Sequence, residues 1–326
     1  MTRRSAFVAV AVGVLAALAP AGIAGADPAG PTDYGSQITA ITPAVPGIAA
    51  EIVGGDSFLR LVVQPGIEVV VTGYAQEPYL HFDPAGVVTE NQHSPATYLN
   101  ATRYGATAPA DADPTLPPDW KIVGTGGAYA WHDHRAHWMS PNPPEGVARG
   151  GEVQTERVPI VVNGTPVSIT VVTTWLPEPS RLPLAIGAAV GGALVLLALF
   201  WRRRTGLALL VVALAATGIG WWEYASLPAE TGPLLVWWVL PAVAAVSLLI
   251  ALALGRRLVS YALVLLAALE LAVWVWLRRD GAFRAVIPTD APFWLDRGVM
   301  AATAVVAVFA AIAAGVAMFR LPVGDG

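Results

Sequence analysis

The side chains with the clearest potential for chemistry are histidines gathered in one short segment. The nine residues Trp131–Met139 read WHDHRAHWM and contain three of the five histidines of the chain. Neutral imidazole is the commonest metal ligand in proteins, and a thioether beside imidazoles favours copper over zinc because both thioether and copper are soft. We therefore predict a metal site with copper as its cofactor, and its candidate ligands are His132, His134, His137 and Met139.

The geometry of this site depends on the local backbone. On a strand, His132 and His134 would project from the same face, whereas His137 needs a bend to join them. Asp133 would then point to the opposite face, or it could pair with Arg135 across a local bend. The spacing is that of a two-imidazole site with a third imidazole brought in by a turn.

A structural interpretation of the same segment stays open. In it, Arg135 and the imidazoles bond to loop carbonyls, while Trp131 and Trp138 pack beneath them. The two remaining histidines, His81 and His93, lack a partner nearby in sequence, and we expect ordinary hydrogen-bonding roles for both.

Catalysis has little support in the sequence. A hydrolytic reaction at a metal would need a bound water and a general base beside it. Asp133 and Glu145 are candidates for that base, and nothing singles out either one. The chain has no cysteine, which excludes disulfides, thiolate metal sites and thiol nucleophiles. We therefore predict no catalytic residues and a protein that is not an enzyme.

Residues 27–181 must position the histidine segment, and their pattern is that of an all-β domain. Apolar and β-branched runs flank turn sequences at 64–66, 83–86 and 163–164, and the last of these is the type I′ dipeptide Asn163-Gly164. Proline-rich loops at 106–119 and 140–151 bracket the histidine segment. We predict a sandwich or small barrel built from hairpins.

Charge separates this domain from the rest of the chain. Residues 27–180 carry sixteen acidic and six basic side chains, a net formal charge of −10, while 181–326 carry seven acids and eleven arginines. Nucleic-acid binding depends mainly on neutralising phosphates, so nucleic acid is excluded as a partner. Cations are the ligands that suit the acidic domain.

The second half is too apolar for a soluble domain. The 326-residue chain is 55% hydrophobic and 13% charged, with a mean hydropathy of +0.58. Five segments are long and apolar enough to cross a lipid bilayer. We predict an all-α transmembrane domain with spans at 182–201, 206–222, 233–255, 258–277 and 298–319, so the lipid bilayer is an expected partner.

A secretory signal precedes the β domain and sets the predicted orientation. Residues 1–26 combine two arginines, a short apolar run and the sequence Ala24-Gly25-Ala26, typical of a signal peptide cleaved after Ala26. The β domain would then be extracytoplasmic, and five spans would place the tail, 320–326, in the cytoplasm. Short arginine-rich loops and the tail support a multi-pass cell-membrane protein with this orientation, namely Arg202, Arg203, Arg204, Arg256, Arg257 and Arg320.

One feature of the sequence runs against this topology, and another supports it. The segment 278–297 is placed outside although it contains four arginines, against the positive-inside tendency. Tryptophan indoles prefer the membrane interface, and five of them are predicted near the outer one: Trp221, Trp222, Trp274, Trp276 and Trp294.

Glu270 is the one ionisable residue well inside a predicted span. Burying a charge in a bilayer costs several kcal/mol, so such a residue marks either a functional acid or a protonated acid bonded to a neighbouring helix, and both interpretations stay open. Gly187 and Gly191 form a G-x-x-x-G pattern that favours close helix packing within the chain. No span contains histidine or cysteine, so no path of soft ligands for metal transport is expected.

Several motifs together resemble known proteins. The stretch YLHFDPAGVVTENQHSPATYLN at 79–100, the sequence AWHDHRAHWM at 130–139 and several spans resemble a family of exported polytopic membrane proteins from high-GC actinobacteria. That resemblance implies no particular activity. In architecture the chain is also loosely similar to copper-resistance proteins that join a secreted barrel of the CopC type to spans of the CopD type. This similarity implies copper as a ligand.

Three functions follow as expectations. The first is a membrane-anchored extracytoplasmic accessory protein that binds copper through the histidine segment. The second is a metal-independent interaction protein whose β-sandwich binds another membrane or envelope protein. The third, a small transporter that uses Glu270, has the least support because the spans carry little polarity and no evident inverted repeat.

Overall fold

A computed structural model describes residues 27–200, 205–254 and 257–320. The predicted signal peptide and its cleavage site lie outside these residues, as does most of the predicted tail. The described chain forms an antiparallel β domain followed by five long apolar helices, which confirms the predicted fold class.

Seven strands form the larger sheet in the order β1-β10-β9-β4-β5-β6-β7. Strands β9 and β10 flank a turn in which Asn163 and Gly164 both have positive φ, and this hairpin was predicted. The bounds of the seven strands are Tyr34–Thr42 (β1), Val69–Thr72 (β4), Pro78–Phe82 (β5), Val88–Asn91 (β6), Trp120–Gly124 (β7), Glu152–Val162 (β9) and Thr165–Trp175 (β10).

A smaller sheet completes the β domain. It consists of β2 (Ile48–Val53), β3 (Phe58–Val63) and β8 (Ala128–Trp131) in the order β2-β3-β8. The predicted hairpin around residues 64–66 is therefore wrong, because β3 and β4 belong to different sheets. The chain crosses between sheets at that point, and buried residues of both sheets form one apolar core.

One short helix, α1 (Pro95–Leu99), follows β6. Five long helices then form a bundle: α2 (Leu182–Phe200), α3 (Thr205–Ser226), α4 (Val236–Ala253), α5 (Arg257–Arg278) and α6 (Phe293–Phe319). All five are long and apolar enough to cross a membrane, so the protein is a multi-pass membrane protein.

Small residues allow the bundle helices to approach closely. A Cβ added at Gly187 of α2 would lie 2.1 Å from the backbone oxygen of Gly298 in α6, and one added at Gly191 would lie 2.8 Å from the oxygen of Ala302. The G-x-x-x-G pattern thus serves packing within the chain, as predicted. Trp274 departs from the predicted interface belt, because it is buried in the bundle and donates to the Trp237 carbonyl at 2.7 Å.

The β domain docks on the segment that connects α5 and α6. Thr32 and Val286 form an antiparallel bridge, and Asp33 accepts hydrogen bonds from Arg284 Nη1 at 2.8 Å and from the Ala285 amide at 3.0 Å. An apolar cluster that includes Phe58 of the β domain and Trp237 of α4 extends this contact. The β domain and this connection therefore lie at the same end of the bundle.

Two of the four arginines of segment 278–297 are buried within the bundle. Arg278 is buried and pairs with Glu223 of α3 and Asp296 of α6. Arg297 donates to the carbonyls of Gly281 and Arg284. Because these guanidinium groups are bound inside the protein, they do not act as free surface charges in the loop.

Candidate metal centre

The histidine segment leaves the smaller sheet immediately before its first histidine. Strand β8 ends at Trp131, so the prediction that His132 and His134 share a strand face is wrong. Asp133 turns the chain away from the sheet. Its carbonyl accepts a hydrogen bond from the Ala136 amide at 2.7 Å, and its carboxylate accepts one from the Arg135 amide at 3.1 Å. The resulting turn supplies the bend that His137 was predicted to need.

A buried ion pair holds this turn in place. Both carboxylate oxygens of Asp133 accept from the Arg135 guanidinium at 2.8 Å, which confirms the predicted pairing of these two residues. The Trp131 indole also donates to Asp133 at 3.0 Å, and Arg135 donates to the Thr72 carbonyl at 3.1 Å. Burial alone would raise the pKa of Asp133, but the charge and hydrogen bonds of Arg135 hold it below its usual range.

The turn brings the three imidazoles together. The ring centroids of His134 and His137 lie 5.5 Å apart and those of His132 and His137 lie 6.1 Å apart, both edge to face. Two imidazoles on one ion, with nitrogen–metal bonds of about 2.0 Å, place their ring centroids about 5–6 Å apart. The spacing of the rings is therefore close to that of imidazoles sharing a metal.

His137 is the most deeply buried histidine of the segment. Its ring is fully buried, and Nε2 has no hydrogen-bond partner among the described residues, while Nδ1 makes only a 3.3 Å contact with the Trp138 carbonyl. Burial, supported by the nearby charge of Arg103, lowers the pKa of His137 to about 3. The ring is thus neutral at physiological pH, the form that binds metals.

His132 is bound more tightly to the backbone. Its Nδ1 lies 2.6 Å from the Ser57 carbonyl and its Nε2 lies 2.9 Å from the Asp27 carbonyl. A neutral imidazole has one N–H, so only one of these contacts can be a hydrogen bond in the neutral form. Burial lowers the pKa of His132 and favours that form. His132 can bind a metal only after giving up a carbonyl contact.

The side chains of His134 and Met139 both lie close to Gly105. His134 stacks on Tyr74 at 5.8 Å, and its Nε2 lies 3.2 Å from the Thr102 carbonyl. A Cβ added at Gly105 would lie 3.5 Å from His134 Cε1 and 4.0 Å from the terminal methyl of Met139. Both side chains therefore lie beside the backbone of Gly105. Burial also lowers the pKa of His134.

Polar residues from distant segments of the chain lie around these rings and were not predicted from the sequence. The Tyr74 hydroxyl donates to Asn100 Oδ1 at 2.5 Å and accepts from the His134 amide at 2.9 Å. The buried Glu77 accepts from the Ser94 hydroxyl at 2.6 Å. The Asn100 side-chain nitrogen has no hydrogen-bond partner among the described residues, so this network is only partly satisfied. The only sequence signal was that 79–100 belongs to the same resemblance as the histidine segment.

A second ion pair adjoins the site. Asp56 is fully buried and pairs with Arg103 at 2.5 and 2.9 Å, and Asp56 also lies 3.5 Å from the Thr32 hydroxyl. The charge of Arg103 still reaches His137, whose pKa it lowers, although Arg103 is paired with Asp56. Since Thr32 bridges to Val286, this pair also connects the histidine segment with the docking contact.

The other candidate residues lie elsewhere. His81 bonds to Glu68 at 2.9 Å and His93 to the Pro117 carbonyl at 2.7 Å, which confirms their predicted hydrogen-bonding roles. Across residues 27–200, 205–254 and 257–320, no group of three His, Cys, Asp or Glu side chains is already arranged around a metal position. The three imidazoles are close together, but their nitrogens do not converge on one point.

Comparisons with family models, curated proteins and solved structures found no match for this chain.

Proposed function

We propose that this multi-pass membrane protein binds one copper ion in its β domain, on the extracytoplasmic side. The observation that carries the proposal is the pair His134 and His137, with rings 5.5 Å apart and a buried His137 Nε2 that has no partner among the described residues. Leaving a buried polar atom unpaired is costly, so a ligand for this nitrogen would stabilise the site.

The donor set favours copper. His134 and His137 supply two borderline nitrogen ligands, and Met139 at the same loop supplies a soft sulfur. Carboxylates, which would attract harder cations, are engaged: Asp133 by Arg135 and Asp56 by Arg103. We assign Cu(I) as the preferred state because the thioether suits it best.

His132 is the fourth candidate ligand, and it can bind copper only after giving up a carbonyl contact. Its Nδ1 faces the carbonyl of Ser57 and its Nε2 faces that of Asp27, so binding a metal requires the ring to leave one of these carbonyls. We therefore expect substitution of His132 to weaken copper binding less than substitution of His137.

The test is an anaerobic Cu(I) titration of the purified full-length protein against a chromophoric chelator. Wild type should take up one copper per chain, and the double variant His134→Gln/His137→Gln should take up none at the same chelator concentration. The matched control is His81→Gln/His93→Gln, which removes two histidines outside the site and should bind as wild type does. Equal uptake by both double variants would contradict the proposal.

Met139→Leu separates copper from other metals in the same assay. Removing the thioether should weaken Cu(I) binding at least tenfold and change Zn(II) binding little, since zinc gains less from a soft ligand. An equal loss for both metals would mean that Met139 acts through packing.

One observation favours the metal-independent alternative. Strand β7 is the last strand of the larger sheet, and it presents Trp120 and Ile122 at the surface. An exposed edge strand with apolar side chains can add a strand from another protein. In that case Ile122→Asp should abolish association with the partner, and copper chelators should leave the association unchanged.

A further inference from the structure

The membrane-spanning bundle contains a deeply buried carboxyl group. Glu270 of α5 is 3% exposed, and neither of its carboxyl oxygens has a hydrogen-bond partner among the described residues. Thr303 of α6 is fully buried, and its hydroxyl is likewise without a partner there. Unpaired buried polar groups are costly, and an intramembrane ionisable residue of this kind marks a functional site.

The two groups lie at the same depth. The ion pair of Arg278 with Asp296 aligns the antiparallel helices α5 and α6 at the end near the β domain. Glu270 is eight residues from Arg278, and Thr303 is seven residues from Asp296. At 1.5 Å per residue, both lie about 10–12 Å below the ion pair, within one helical turn of each other in depth.

No charge on the packed helices compensates a Glu270 carboxylate. The charged groups facing α5 from its neighbours are Glu223 of α3 and Asp296 and Arg297 of α6, and α4 carries none within its bounds. These groups are at the β-domain end, where Arg278 already pairs with Glu223 and Asp296. An unpaired charge at this depth costs several kcal/mol, so the neutral acid is the resting form.

The polar side chains nearest to Glu270 along α5 lie toward the β-domain end, although the Trp274 indole already donates to the Trp237 carbonyl. Trp274 and Arg278 follow it along α5 at intervals of four residues, on one stripe of the helix that runs to the β-domain end. In the other direction the start of α5 is thirteen residues, or about 20 Å, away. Residues 258–269 between them are apolar except for Ser260 and Tyr261, and the Ser260 hydroxyl already donates to the Ala251 carbonyl.

We propose that Glu270 is an intramembrane proton-binding site that is loaded from the side carrying the β domain, with the Thr303 hydroxyl as the second polar group of the site. The bound species is a proton taken up from water by the carboxylate. One carboxyl and one hydroxyl fall well short of the roughly six oxygen ligands that a hard metal cation requires. The site is separate from the histidine segment and does not depend on copper.

The test is infrared spectroscopy of the full-length protein in lipid nanodiscs. A protonated carboxyl group gives a carbonyl band distinct from that of carboxylates, and Glu270→Gln identifies the band that belongs to Glu270. Thr303→Val removes the proposed hydrogen-bonding hydroxyl. Thr217→Val is its matched control, because Thr217 lies in α3 and its hydroxyl already donates to the Ala213 carbonyl at 2.8 Å.

Wild type should show the protonated band at neutral pH, and the band should be absent in Glu270→Gln. The band should diminish reversibly as the pH rises from about 5 to about 10. Thr303→Val should move the band frequency, and Thr217→Val should not. In proteoliposomes of one orientation, the band should follow the pH on the β-domain side.

Three results would overturn the proposal. A missing band at neutral pH would show that Glu270 is ionised. A band unchanged over the whole pH range would show a permanently neutral, structural acid. Control of the band by the pH on the opposite side would show that the entry path is wrong.

Discussion

Replacing His137 should remove much of the acid sensitivity of the β domain. The pKa of His137 is lowered to about 3 by burial and by Arg103, against 6.5 for an exposed histidine. Between these values the unfolded chain binds a proton at His137 and the folded chain does not, so the free energy of unfolding falls as the pH falls. The stability is fully present above about pH 6.5 and is lost as the pH drops toward about 3.

The size of this effect follows from the same two values. Each pH unit below about 6.5 costs 1.36 kcal/mol, so lowering the pH from about 8 to about 5 removes on the order of 2 kcal/mol through His137. Lowered pKa values of His132 and His134 act in the same direction, whereas the raised pKa of the buried Asp56 acts against them. The difference between wild type and His137→Gln isolates the contribution of His137.

The assay is a urea titration of the full-length protein in detergent with a metal chelator present. Short protease pulses, with an enzyme active at each pH, measure the unfolded fraction of the β domain. Wild type should lose on the order of 2 kcal/mol more than His137→Gln between pH 8 and pH 5. His93→Gln controls for loss of one histidine outside the site. Equal pH dependence in wild type and His137→Gln would refute the claim that His137 is held neutral.

Two further predictions concern the bundle and the docking contact. Gly187→Ala should lower the thermal midpoint of the bundle, because the added Cβ would meet the Gly298 backbone oxygen at 2.1 Å. The control Gly192→Ala should leave the midpoint unchanged, because a Cβ there has nothing within 4 Å. Equal midpoints of the two variants would contradict this packing. Asp33→Ala should speed amide hydrogen exchange at 284–286 because it removes the hydrogen bonds to Arg284 and Ala285, and unchanged exchange would show that the docking does not depend on Asp33.

The fold was predictable where the signal was local. The Asn163-Gly164 turn between β-branched runs specified its hairpin, and the apolar helices were evident from length and composition alone. The hairpin around residues 64–66 was predicted wrongly because a turn sequence does not show whether the next strand joins the same sheet. Strands β1, β2 and β7 were missed, and β1 pairs with β10, more than 120 residues away in the chain.

The candidate site was likewise predictable only where its residues lie close together in the sequence. The ligand types and the Asp133–Arg135 pair were found because they lie within eight residues. Tyr74, Asn100 and Arg103 were not found, because only the fold brings them to the histidines. The buried partners of Arg278 likewise belong to other helices, so the arginine-rich connection looked like an exception to the positive-inside tendency.

Copper X-ray absorption of the Cu(I)-loaded full-length protein tests the proposed function most directly, because it identifies the ligand atoms. We expect one tightly held copper per chain, coordinated by imidazole nitrogens and one sulfur, and we expect the sulfur to be lost in Met139→Leu. A protein that retains no copper after desalting would contradict it. So would a spectrum that is the same in wild type and in His134→Gln/His137→Gln.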